Sequence, residues 1–125
     1  MNIGPLSLSA QQLSSNKWRL TVRYTATFSP QEVNPPPSGL NFTFRDSFQI
    51  WEDDPVNDDQ ITGWVGVSSF NPSSTSVTRT LSHDISGDDL DTELGGEEIK
   101  VKVRLRNVDL NFPIHRWSGT IGLAP

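Results

Sequence analysis

A strict alternation of apolar and polar residues runs through residues 18–28, WRLTVRYTATF. In an extended chain successive side chains point to opposite faces, whereas a helix brings every third or fourth residue together. The stretch therefore predicts a half-buried β-strand and argues against an amphipathic helix. The residues expected on its apolar face are Trp18, Leu20, Val22, Tyr24, Ala26 and Phe28.

The same pattern recurs along the chain. Residues 99–105, IKVKVRL, alternate apolar with basic positions, and residues 40–51 alternate until Asp46 interrupts them, which predicts a bulge or a break there. Weaker strands are predicted at residues 5–13, 61–69, 76–85 and 114–123. In the last of these, Trp117 has the parity of Ile121 and Leu123, so we expect it in the core.

The segments between these strands are rich in Gly, Pro, Asn, Asp and Ser, which favour turns. About seven short strands separated by such turns predict an all-β chain folded as one antiparallel β-sandwich domain over residues 1–125. The sequence contains no cysteine. Disulfides, thiolate metal sites and cysteine nucleophiles are therefore excluded.

Residues 94–107, LGGEEIKVKVRLRN, resemble the corner and the following strand of fibronectin type III and other immunoglobulin-like domains. The residues that carry this resemblance are Leu94, Gly96, Ile99, Val101, Val103, Leu105 and Asn107. The resemblance implies an immunoglobulin-like antiparallel β-sandwich of about seven strands. In that strand order alternate loops gather at one pole, which would bring residues 51–63 close to residues 86–98.

Both of those loops are acidic. The first, WEDDPVNDDQITG, resembles the third calcium loop of synaptotagmin-type C2 domains through Trp51, Glu52, Asp54, Ile61 and Gly63. Calcium takes six to eight oxygen ligands in flexible geometry, and carboxylates from two loops can supply them. We therefore predict calcium as the candidate cofactor, with the ligands Asp54, Asp58, Asp59, Asp89 and Asp91. The alternatives are a solvated turn and a surface for a basic protein.

A block of basic residues follows the acidic loops, at Lys100, Lys102, Arg104 and Arg106. If their strand lies inside a sheet, all four share its outer side, and Arg45 and Arg116 are predicted to flank them. Such a stripe could dock an acidic protein partner, or the acidic pole of a second copy in a self-association. The alternative is a solvated charged face.

Apolar residues at a loop tip are a second candidate for partner binding. Leu110, Phe112 and Pro113 lie in a turn-rich stretch, and we predict that they contact a protein partner; the alternative is that they cap the core. Trp51 and Trp64 have the opposite parity to their strands' apolar residues, which favours exposure. We therefore predict that Trp51 and Trp64 also contact a partner, and a carbohydrate is the alternative partner for exposed tryptophans.

Other features narrow the function. The net charge of −5 argues against nucleic acid, and no apolar run reaches the roughly 18 residues of a transmembrane helix. If Met1 is the native start, the absence of a signal-like N-terminus predicts a cytoplasmic protein. Ser82, His83 and Asp84 are consecutive, so in a strand they cannot converge as a catalytic triad.

The residues therefore predict a protein that is not an enzyme. We expect a non-catalytic binding module that mediates protein interaction within a larger assembly, with calcium at the acidic pole as a candidate modulator. The alternative is a carbohydrate- or lipid-binding module that uses calcium or exposed tryptophans.

Overall fold

The computed structural model describes residues 1–33, 42–54, 56–90 and 97–123, and the all-β prediction is confirmed. The strands are β1 (Asn2–Ile3), β2 (Ser7–Ser14), β3 (Lys17–Thr27), β4 (Phe44–Glu52), β5 (Asp59–Gln60), β6 (Val65–Phe70), β7 (Ser76–Ser86), β8 (Glu97–Asn107), β9 (Phe112–Trp117) and β10 (Ile121–Leu123). Two single-turn helices, α1 (Pro30–Val33) and α2 (Gly87–Leu90), complete the described elements. Within those ranges no helix has the length and apolar character needed to cross a membrane.

The strands form two antiparallel sheets. In the first sheet β3 is central, β7 pairs with one edge of it, and β1 and β2 pair with the other edge. In the second sheet β4 and β8 are neighbours; β5 and β6 pair with the free edge of β4, and β9 and β10 with the free edge of β8. Each sheet therefore has long central strands and edges built from short pieces.

The core lies between the two sheets and follows the predicted alternation. Tyr24 on β3 and Phe48 on β4 are buried in one continuous cluster with Val103 on β8. Across the same interface the rings of Phe28 and Phe44 lie 4.6 Å apart, between centroids. The other buried residues on the predicted apolar faces of β3, β4 and β8 are Leu20, Val22, Ala26, Ile50, Ile99, Val101 and Leu105.

The irregularity predicted at Asp46 lies on the neighbouring strand instead. β4 runs unbroken, but Asp46 pairs with Ser68 and Phe48 pairs with Val65, so β6 carries one extra residue at this point. Gly66 lies within the bulge with a φ of 62°, and a Cβ there would lie 2.6 Å from the Phe48 ring. Glycine is therefore required at this position by both backbone conformation and space.

Asp46 itself points into the core, where it is fully buried and paired. Its Oδ2 accepts hydrogen bonds from Arg79 Nε at 2.8 Å and from the Tyr24 hydroxyl at 2.8 Å, both from the first sheet. Burial, together with the Asp46 carboxylate, raises the pKa of the Tyr24 phenol far above its ordinary value. The polar residue that interrupts the alternation thus joins the two sheets.

The prediction of one strand over residues 114–123, with Trp117 in the core, is wrong. Trp117 pairs with Lys102 and Ile121 pairs with Ile99, so four steps along this edge match three steps along β8. The extra residue lies in the break between β9 and β10 and exchanges the two faces of the sheet. Trp117 is therefore on the outer side, with 42% of its surface exposed.

The same register corrects the prediction that Arg116 flanks the basic stripe. Arg116 pairs with Val103, whose side chain points into the core, so Arg116 lies on the inner side at the sandwich edge. There its Nη1 donates to the carbonyl oxygen of Ile3 at 2.8 Å. Its charge serves contact between the two sheets and does not extend the outer stripe.

Candidate functional site

The acidic loops meet at one end of the sandwich, which we call the acidic pole. It contains Asp53, Asp54, Asp58, Asp59, Asp88 and Asp89. The Asp53 N–H donates to the Glu98 carbonyl at 2.8 Å within the second sheet, and the Gly87 N–H donates to the Asn16 carbonyl at 2.9 Å within the first sheet. Asp59 and Asp89 line one cleft of about 370 Å³, as the predicted meeting of the two acidic stretches requires.

The acidic pole already holds a cation from the chain itself. Lys100 Nζ lies 2.6 Å from Asp58 Oδ2 and 3.6 Å from Asp53 Oδ1. This contact holds the pKa of the Asp58 carboxyl below its usual range and raises the pKa of Lys100. Asp58 Oδ1 also accepts the Asp54 N–H at 3.3 Å. The pair therefore relieves part of the repulsion that the clustered carboxylates would otherwise suffer.

The predicted calcium ligands are divided between two places. Asp58 contacts Lys100 and the backbone of Asp54, whereas Asp59 and Asp89 line the cleft beside β7. Asp91 lies outside the described residues. Among the described residues, no three His, Asp or Glu side chains form a group that could hold a metal ion. Calcium binding at this pole stays a prediction.

The predicted basic stripe lies on the side of the second sheet that points away from the core, which we call the outer face. Its members Lys100, Lys102, Arg104 and Arg106 are partly exposed and alternate with buried residues of β8. β4 contributes Arg45 on the same side, opposite Arg106. β9 contributes His115 opposite Arg104 and Trp117 opposite Lys102.

Two tryptophans form the end of the outer face nearest the acidic pole. The rings of Trp51 and Trp117 lie 5.4 Å apart between centroids, with an edge-to-face angle of 72°. Lys100 Nζ and Lys102 Nζ lie 4.9 Å and 5.5 Å from the Trp117 centroid, which is the range of cation–π attraction. The Trp51 indole N–H donates to Gln49 Oε1 at 3.0 Å, so its ring is held in one orientation.

The side chain of a third tryptophan, Trp64, extends over β4 to the basic residues of the outer face. Trp64 directly precedes β6, yet the Arg104 guanidinium lies 4.2 Å from its ring centroid and the His115 ring lies 5.7 Å away. Ser47, which pairs with Arg104 on the intervening strand, is 1% exposed although it points outward. A small residue at this position lets the indole lie across β4.

The pKa values of His115 and Arg104 on this face are lowered, first by burial and then by neighbouring positive charges. Burial lowers the pKa of His115 first, and the cations of Lys102 and Arg104 lower it further. The pKa of Arg104 is lowered in the same way, by burial and then by Arg106 and Arg45. The outer face is therefore a surface on which positive charges are held close together.

The predicted loop tip is exposed at the opposite end. Leu110 is 64% exposed and Phe112 is 59% exposed, so the alternative that they cap the core is wrong. The Leu110 N–H donates to the buried Asn107 side chain at 3.0 Å, and Asn111 adopts a φ of 51°, which together shape the turn. Pro113 is also exposed, at the start of β9. Partner binding through these residues stays a prediction.

Sequence reasoning placed Trp51 and Trp64 correctly as partly exposed, but it missed Trp117 and His115. The only sequence signal for the missed pair is the Ser-Gly-Thr segment at residues 118–120, which is typical of a break in a strand. Comparison with protein-family models, with curated proteins and with solved structures found no match to this chain.

Proposed function

We propose that this protein is a non-catalytic binding module that mediates protein interaction within a larger assembly through its outer face. The finer fold assignment supports this role. Taking β1 with β2 as one strand, and joining β5 to β6 and β9 to β10, gives sheets in the order A-B-E and C′-C-F-G. We propose on this basis that the sandwich is immunoglobulin-like, a class that hosts many binding functions on its exposed surfaces.

The observation that carries the proposal is the joint presence of tryptophan and basic side chains on one sheet face. Lys102 and Arg104 lie beside the three tryptophans of this face, Trp51, Trp64 and Trp117. The surface of Trp117 is 42% exposed. Tryptophan and arginine are enriched among the residues that carry most of the binding energy in protein interfaces. The pairing of β4 with β8 holds the central side chains of this face in a fixed register.

The edge-to-face geometry favours a protein over the alternative carbohydrate or lipid ligand. A sugar ring stacks on a flat aromatic surface, but the Trp51 and Trp117 rings meet at 72° and present a corner. Arg104 also occupies one side of the Trp64 ring. The carbohydrate- or lipid-binding module therefore remains the second proposal, without a specific observation in its favour.

Calcium modulation is part of the proposed function and would act through Lys100. This residue contacts Asp58 at the acidic pole and approaches Trp117 on the outer face, so it belongs to both regions. Calcium bound by Asp58 would compete with Lys100 for the carboxylate and release its ammonium group toward the outer face. Such an exchange would couple ion binding to partner binding without a large movement of the backbone.

The proposal is tested by affinity capture from an extract of cells that make the protein. We expect the wild type to retain protein partners that the variant Trp117→Ser with Lys102→Glu loses. Arg23→Glu, on the exposed side of the first sheet, is the matched control and should retain them. Leu110→Ser with Phe112→Ser tests separately whether the loop tip contributes.

The variants must first be shown to unfold at the same temperature as the wild type, so that lost capture reports lost contact. Equal retention by the wild type and the outer-face variant would contradict the proposal. Retained material that resists protease and is destroyed by periodate would favour the carbohydrate-binding alternative instead.

A further inference from the structure

Three arginines form a compact group on the outer face, away from the tryptophan pair. Arg45 on β4 and Arg106 on β8 pair directly across the strands, and Arg104 is the next outward residue of β8. Side chains at directly opposed positions of an antiparallel pair have Cβ atoms about 5 Å apart. Like charges at that separation destabilise a sheet unless something neutralises them. We call Arg45, Arg104 and Arg106 the arginine cluster.

Some other basic residues in the described part of the chain have carboxylate partners, although Lys17, Arg23, Lys102 and Arg116 have none among the described residues. Arg19 pairs with Asp84, and Arg79 pairs with Asp46. No described carboxylate pairs with a member of the arginine cluster; the one side-chain hydrogen bond recorded for it joins Arg45 Nε to Ser69 Oγ at 3.1 Å.

Acidic residues are sparse in the sequence near this end of β8. Residues 34–41, NPPPSGLN, contain neither Asp nor Glu. Glu97 begins β8, and at 3.3 Å per residue it lies about 30 Å along the strand from Arg106. Asp109, just beyond the end of β8, accepts the Thr43 N–H at 2.7 Å, and no ion pair joins the cluster to a described carboxylate.

A buried donor gives independent support. Arg106 Nε is inaccessible to solvent and has no hydrogen-bond acceptor among the described residues. A buried N–H group of a charged side chain without an acceptor is costly, so it marks a position where an acceptor would stabilise the protein. The lowered pKa of Arg104, caused by burial and then by Arg106 and Arg45, agrees with mutual repulsion inside the cluster.

We propose that the arginine cluster binds a carboxylate of an acidic segment from a partner protein. Guanidinium groups match carboxylates in planar, two-pronged hydrogen bonds, and several of them together can hold one Asp or Glu side chain firmly. The inference rests on the proposed function, because it names the partner chemistry that the same face recognises. The neighbouring tryptophans would pack against apolar residues of that segment.

Two other anionic occupants fit less well. A second copy would have to offer its acidic pole, but there Asp53 and Asp58 are already neutralised by Lys100 of the same chain. A long polyanion such as nucleic acid would be repelled by the net charge of −5 and by the acidic pole beside the outer face. A short acidic peptide segment can contact the cluster without also lying against the acidic pole.

The test uses a synthetic Glu- and Asp-rich peptide of about ten residues, titrated at low salt by calorimetry and by tryptophan fluorescence, because Trp64 lies against Arg104. The variant Arg45→Gln with Arg104→Gln and Arg106→Gln keeps hydrogen-bonding groups but removes the charge. We expect it to bind at least tenfold more weakly than the wild type and with a smaller salt dependence. Arg19→Gln with Arg23→Gln is the matched control on the first sheet and should bind as the wild type does.

Each remaining outcome decides against the inference. Equal affinity of the wild type and the cluster variant would overturn it, as would an absence of peptide binding at millimolar concentration. Concentration-dependent dimerisation that the cluster variant abolishes would assign the cluster to a second copy. If the cluster variant still captures the partners that the Trp117→Ser, Lys102→Glu variant loses, the inference fails while the proposed function stands.

Discussion

The two sheets share the same inner chemistry but present different outer faces. On the first sheet the exposed positions of β3 and β7 are mostly Thr and Ser, and Arg19 on that side is paired with Asp84. On the second sheet tryptophans lie among Lys102, Arg104 and Arg106, none of which pairs with a described carboxylate. A folded sheet needs only the first kind of surface. We propose that the second kind of surface binds a ligand.

Arginine shows the contrast at the level of single side chains. Arg79 enters the core from the first sheet and satisfies Asp46, and Arg19 satisfies an exposed Asp84. Arg106 on the second sheet is partly buried and has an unsatisfied Nε among the described residues. Arg79 and Arg19 therefore have carboxylate partners, whereas Arg106 has a donor without an acceptor among the described residues.

The largest expected effect on stability concerns the ion pair between Arg79 and Asp46 in the core. Arg79→Ala should lower the free energy of unfolding by about 3–5 kcal/mol, because it leaves the buried Asp46 carboxylate without its counter-charge. Chemical denaturation measures the change. Arg79→Met with Asp46→Leu should recover most of the loss, since apolar replacement of a whole buried pair is tolerated. A loss below about 1 kcal/mol for Arg79→Ala, typical of an exposed ion pair, would contradict this role.

A smaller effect is expected in the pH dependence of stability, through His115 on the outer face. Because the folded state lowers the pKa of His115, the unfolded chain binds more protons between the folded pKa and about pH 6.5. The stability contributed by neutral His115 is therefore complete above that range and falls as the pH decreases through it. Urea midpoints between pH 5 and 7.5 measure this slope.

His115→Gln should flatten the slope, whereas His83→Gln, on the first sheet, serves as the control. Saturation with the acidic peptide should raise the pKa of His115 in an NMR titration, because an anion would offset the nearby cations of Lys102 and Arg104. An unchanged pKa in the bound state would place the peptide elsewhere on the molecule.

The smallest expected effect concerns calcium at the acidic pole. In the wild type, calcium must compete with Lys100 for Asp58, so we expect only a small rise in melting temperature at millimolar calcium. Lys100→Met should enlarge the rise, with the gain in free energy of unfolding approaching the roughly 2.7 kcal/mol given by a hundredfold excess of calcium over Kd. Magnesium should act poorly because it requires tighter octahedral geometry.

Asp54→Asn with Asp58→Asn is the matched loss-of-site variant and should abolish the calcium response in both backgrounds. If calcium moves the melting temperature of neither the wild type nor Lys100→Met, Lys100 is the only cation that this pole requires and the calcium prediction is wrong.

Most of the fold could be predicted because alternation is a local property. The inward sets of β3 and β8 were correct residue by residue, and the position of the acidic loops followed from strand order. The errors arose where one extra residue interrupts a register. One extra residue between β9 and β10 places Trp117 on the outer face, where the core was predicted, and places Arg116 on the inner side, where the outer face was predicted. The irregularity predicted at Asp46 on β4 is instead an extra residue on β6.

The sequence by itself determined the fold class, the core of the long strands and the presence of opposite charges in separate segments. Those properties depend on the period of the side chains, which is the same in every strand. Only the tertiary structure decided which charges meet: Lys100 joins Asp58, Arg79 joins Asp46, and Arg45 meets Arg104 and Arg106 without a described carboxylate. Such contacts join residues far apart in the chain, and their geometry depends on pairing register, which one added residue is enough to change.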